Sequence, residues 1–89
     1  MNQEVFVNEE IDVLVRVLPS GTIQPTSFLW RDKNRYVSTV GRSWEERVSG
    51  RTIRCYLIQA VDNSTYELRW DPAGDSWTIY RAWLANMAV

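Results

Sequence analysis

Tyr66-Glu67-Leu68-Arg69-Trp70-Asp71-Pro72-Ala73-Gly74-Asp75-Ser76-Trp77-Thr78-Ile79-Tyr80 decides the fold class. Residues alternate in polarity on both sides of a reversal marked by Asp-Pro and Gly-Asp, and tryptophans flank the turn. The pattern reads as strand, turn, strand. Successive strand side chains point to opposite sides, so Tyr66, Leu68 and Trp70 share one face and Thr65, Glu67 and Arg69 the other. Asp71, ahead of Pro72, reads as a turn-former whose carboxylate takes backbone amides. Glu67, mid-strand beside Arg69, reads as half of a cross-strand ion pair rather than an acid–base catalyst.

Upstream, Thr52–Val61 is the most apolar segment and is predicted to be a central strand, bounded by turns at Ser49-Gly50 and Asp62-Asn63-Ser64. Arg35–Val40 is the third strand, with Tyr36, Ser38 and Val40 on one side. Gly41 bends it, and Arg42–Val48 extends it past a bulge. Thr22–Trp30 is a second strand, and Pro25 within it points to an edge position or a bulge. Ile11, Val13, Val15 and Val17 alternate with Asp12, Leu14 and Arg16, giving a first strand with one apolar face. Residues 1–9 read as a loose acidic arm ahead of a β-domain at 11–84. The last strand is predicted from about Trp77 to Trp83. Residues 85–89 form a tail, and a helix over Ala82–Met87 is the local alternative, since Ala, Leu and Met favour helix.

Six short strands with tight turns make an all-β fold, an antiparallel six-strand meander. A chain this small curls such a meander into a small, partly open barrel of the SH3 or OB kind, or into a strongly curled sheet. A flat sheet with a helix across one face is the alternative. Trp70, Tyr66, Leu68, Trp77, Val15 and Leu57 are the expected core.

The bulk composition bounds the function. The chain has 89 residues, 45% of them hydrophobic and 24% charged, as expected of one folded domain. Five Trp supply large apolar area to a small core, roughly 150–250 Å² per aromatic ring residue. Net charge is −1, but its distribution is uneven. Glu4, Glu9, Glu10 and Asp12 lie in a segment with no base, whereas Arg31–Arg54 carries seven bases against three acids. Nine of the ten bases are Arg, which suits bidentate contacts and stacking on aromatic rings.

Several chemistries lack their residues. The chain has no His and one Cys, so it has neither the commonest general base nor a zinc site of standard spacing. It has no glycine-rich phosphate loop and no nucleophile elbow. The adjacent Glu45 and Glu46 point to opposite faces of a strand. The expectation is a non-enzymatic module without a cofactor. The single Cys55 fits a reducing cytoplasm. The acidic N-terminus lacks the apolar core of a signal peptide, and the apolar runs are too short to cross a bilayer.

Binding is the chemistry that remains. Trp44, in the charged setting Gly41–Arg47, reads either as a lid over one end of a barrel with Arg42 or Arg47 stacked on it, or as a platform for a base or a partner's apolar side chain. Arg31, Arg35, Arg54 and Arg69 on neighbouring strands and facing the same way, with Trp30 or Trp44 between them, would resemble a single-stranded DNA surface. In such a surface Arg holds phosphate and an aromatic stacks a base. The pI of 5.3 favours a protein partner over nucleic acid. A small-ligand or nucleotide site at the barrel mouth and a homodimer through an edge strand are the other readings.

A resemblance joins these residues. Phe28-Leu29-Trp30-Arg31, Arg35-Tyr36-Val37, Trp44, Arg54–Ile58, Val61-Asp62, Tyr66-Glu67-Leu68 and Trp77–Trp83 resemble a small bacterial domain-of-unknown-function family. It is similar to a C-terminal domain of some Y-family-like DNA polymerase accessory proteins. The resemblance covers about residues 11–84. It implies an accessory or docking role around DNA damage tolerance, and it brings no catalytic residues.

Overall fold

The computed structural model describes residues 2–85. Six strands follow one another: β1 (Asn2–Val17), β2 (Ile23–Trp30), β3 (Lys33–Val48), β4 (Arg51–Ala60), β5 (Thr65–Asp71) and β6 (Ser76–Ala85). Each pairs antiparallel with the next, and β6 returns to β1, so the hydrogen-bonded ladder closes into a ring. There is no helix among the described residues. This is the all-β antiparallel meander that alternation and turn chemistry predict.

Two strands of 16 residues make closure feasible. Residues 2–11 of β1 pair with β6, and 12–17 pair with β2. Residues 33–36 of β3 pair with β2, and 37–48 pair with β4. Strands this long do not stay flat; twist and bulges turn them from one partner to the next. Register shifts mark the bends, at Phe6/Glu9 and Leu14/Val15 in β1 and at Val37/Thr39 and Val40/Ser43 in β3. The last surrounds Gly41, where the bulge is expected. A Cβ there would stand 3.4 Å from the Leu57 carbonyl oxygen, so the small residue eases the approach of β3 to β4.

The interior is filled by Phe28, Trp30, Tyr56, Ile58, Tyr66, Leu68, Trp77 and Ile79. Phe28 and Trp30 meet Tyr66 edge to face, with ring centroids 5.0 and 5.8 Å apart. Trp70 stacks on Trp77 at 5.8 Å. These arrangements suit the ring quadrupole and add to the burial itself. The buried Tyr56 hydroxyl donates to the Ile23 carbonyl oxygen at 3.1 Å.

Several expectations are corrected. Residues 2–9 are not a loose arm: they are the first half of β1, laid along β6 from Asn2↔Ala85 to Glu9↔Ile79. Val5 and Val7 are half-buried, and their hydrophobic spacing is what pins this half. No helix begins at Ala82, because β6 runs to Ala85; the remainder of the expected tail and helix, 86–89, lies outside the described residues. Val15 lies at a rim, 40% exposed, because β6 covers β1 only as far as Ile11. Leu57 is half-buried on the outer face, opposite Glu67, whereas Trp70, also half-buried, packs against the core as expected.

Candidate functional site

The five residues expected to form one surface occupy three settings. At the β2–β3 turn, Arg31 and Arg35 both stack on Trp30, with guanidinium carbons 4.3 and 5.0 Å from the ring centroid. Arg31 and Asp32 both have positive φ, 54° and 60°, the geometry of a two-residue turn that matches strand twist. Glu9 of β1 binds this hairpin twice: Trp30 Nε1 donates to its Oε1 at 2.9 Å, and Arg31 Nη2 lies 3.8 Å from its Oε2. Trp30 is only 3% exposed, so it offers no open face for a base.

On β3, Arg42 lies over Trp44 at 4.9 Å, and Trp44 Nε1 donates to Glu46 Oε2 at 2.9 Å. The indole is half-buried, one face is covered by Arg42, and its only donor is satisfied. The Arg stacking expected of a lid is present, but the ring lies on the outer face of the sheet, opposite Cys55. On β4, Arg54 sits opposite Glu45 and pairs with it at 3.7 Å. Trp44 sits opposite Cys55, the next residue along. Adjacent strand residues face opposite ways, so Arg54 and Trp44 lie on different sides of the sheet.

The positive charge of Arg31–Arg54 is matched in place at three of its seven bases. Arg31, Arg51 and Arg54 each have a carboxylate partner. Exposed pairs of this kind add little stability. They do remove free positive charge from the surface a phosphate backbone would meet.

The most organised polar cluster is one that the sequence reading missed as a whole. On the outer face of β3–β6, Glu67 is 4% exposed and accepts from Arg69 Nε at 2.9 Å, with Arg81 Nε at 3.3 Å. Arg69 also reaches Glu46 at 3.4 Å and stacks on Tyr80 at 3.8 Å. Burial alone would pull Arg69 down; its hydrogen bond to Glu67 and the surrounding acids outweigh that and hold its pKa above the ordinary value. Cys55, beneath this cluster, is fully buried, and burial pushes its thiol up to about 11. The signal for this cluster was the period-two row Glu67, Arg69, Asp71. Only the register that places Glu46 and Tyr80 beside it turns the row into a network.

Among the described residues, half of the exposed large apolar side chains, Leu14, Val15, Val17 and Leu29, lie on the β1–β2 hairpin; the others, Phe6, Tyr36, Val48 and Val61, are scattered elsewhere. Leu14 is 69% and Leu29 43% exposed. The register Asp12↔Leu29 and Leu14↔Ser27 makes them diagonal neighbours, flanking a groove of about 130 Å³. Beside it a cleft of about 310 Å³ has Val13, Val15 and Trp77 on its wall and Glu10, Asp12 and Asp75 around it. All three carboxylates are exposed, so they ring an open cleft instead of converging in a closed pocket. Among the described residues no group of three or more His, Cys, Asp or Glu is placed to hold a metal ion, and no helix is long and apolar enough to cross a membrane.

No protein-family model, no curated protein and no solved structure matches the chain.

Proposed function

We propose that the chain is a non-enzymatic docking module that holds a protein partner on the β1–β2 hairpin. The observation that carries this reading is the open end of that hairpin, where exposed Val15 lines the acid-rimmed cleft with exposed Val17 two residues on, and exposed Leu14 and Leu29 line the smaller groove beside it. Exposed apolar residues gathered on one element and rimmed by polar groups are the mark of a protein-binding surface. Glu10, Asp12 and Asp75 favour a partner segment that sets basic side chains around an apolar anchor.

The same geometry weighs against direct contact with single-stranded DNA. The Trp30 and Trp44 rings are already stacked by Arg, and the Arg side chains are shared among three sites. An accessory role beside DNA, as the family resemblance implies, is then exercised through the partner. Affinity capture with the wild-type chain and with a Leu14→Asp/Val17→Asp variant tests the reading. A partner held by the wild type and lost by an equally stable variant supports it; equal capture by both defeats it. Tryptophan fluorescence titrated with a short single-stranded DNA at low and high salt is expected to show no salt-sensitive quenching.

A further inference from the structure

Two lengths of backbone have no neighbouring strand on one side among the described residues. β2 has only eight residues and pairs with β1 from Asp12 onward and with β3 only as far as Tyr36. Residues 3–11 of β1 are therefore bonded to β6 alone, and residues 37–48 of β3 to β4 alone. Alternate N–H and C=O groups along both look outward, as a template for a further strand.

The two edges differ in charge. The β1 edge carries Glu4, Glu9 and Glu10 with no base, and a bulge at Asn8 (φ 51°) interrupts it. Two copies meeting there set carboxylates against one another. The β3 edge instead presents Arg42, Trp44 and Glu46 in a row on one face, joined by the stacking and the indole hydrogen bond already described. Charge along this row is antisymmetric about Trp44. In an antiparallel pair with a two-fold axis at Trp44, Arg42 of each copy meets the partner's Glu46. Ser43 meets the partner's Glu45, and no like charges are opposed. A slip of one residue in either direction takes Trp44 off the axis and joins the outer face of one sheet to the inner face of the other.

We propose that two copies of the chain pair edge to edge along β3, about an axis at Trp44. A self-complementary patch is what a closed two-fold dimer requires, and a Trp at its centre with Arg beside it is the composition of an interface core. The surface is separate from the β1–β2 hairpin, so this dimer and the docking of a partner stand or fall independently.

Sedimentation of the full chain at a few hundred micromolar tests the proposal. The expected mass is twice the 10.4 kDa of the chain. Amide hydrogen exchange across Arg42–Glu46 slows as concentration rises. Arg42→Glu sets two carboxylate pairs against each other in each dimer and weakens association roughly tenfold. An equimolar mixture of the Arg42→Glu and Glu46→Arg chains restores it, because each copy then supplies the charge the other lacks. Glu46 also binds Trp44 and Arg69, so if Glu46→Arg fails to fold, the concentration-dependent protection of the wild type decides. A monomer at the highest concentration overturns the proposal, as does a dimer whose protection falls outside β3.

Discussion

At the scale of single residues, Glu67 and Cys55 show how the outer face of the sheet acquires an interior of its own. Glu67 is as buried as a core residue, yet it is charged and held by two guanidinium groups. Removing one member of such a group strands the others in a poorly solvated place. Glu67→Gln is therefore expected to destabilise the chain by about 3 kcal/mol in a denaturant titration. Truncation of the exposed Glu45 should cost under about 1 kcal/mol. Cys55 makes a different prediction. Its thiol titrates near 11 in the folded chain against an ordinary 9.0, because burial opposes the thiolate. The unfolded chain gives up this proton first as pH rises. The stabilising contribution is thus complete below pH 9 and is lost as pH climbs toward 11. Thermal melts at pH 8 and pH 10.5 should show a larger drop for the wild type than for Cys55→Ala, by about 1–2 kcal/mol. At neutral pH the folded thiol should resist alkylating reagents.

At the scale of elements, hairpins were the legible part of the chain. The β5–β6 hairpin carries its own instructions: Asp71 Oδ1 accepts from the Ala73 amide at 3.1 Å, and Tyr66, Leu68 and Trp77 are buried as alternation requires. The β2–β3 turn is less well matched to its residues. Asp32 sits at φ 60° without the freedom of glycine. Asp32→Gly is expected to raise stability by about 0.5–1 kcal/mol, read from the midpoint of urea unfolding. Less legible was everything that depends on partners distant in sequence. Val15 keeps the alternation of Ile11 and Val13, but its burial depends on how far β6 extends. Residues 2–9 looked unanchored because their acids dominate and their partner, β6, is at the far end of the chain. The candidate site failed to cohere for a related reason: Arg54 and Trp44 are on adjacent strands, and only the register tells that they face apart.

At the scale of the whole molecule, the ring makes every strand answerable to two others. β6 depends on residues 2–11 for one of its two sides. A chain lacking residues 2–9 loses most of that ladder together with the Glu9 contact to Trp30. A loose arm could be removed at no cost. Here removal is expected to abolish the cooperative thermal transition followed by circular dichroism, leaving the two flanking strands without cover. A small domain has little margin to absorb such a loss.

Closure of the ring also sets a timetable. The pairing of Asn2 with Ala85 joins the first described residue to the last. During synthesis β1 waits, its acidic edge exposed, until β6 has left the ribosome. Hairpins β2–β3 and β5–β6 can form as they emerge, because their contacts are local. The step that joins β1 to β6 carries the full entropy of bringing distant segments together, and it comes last.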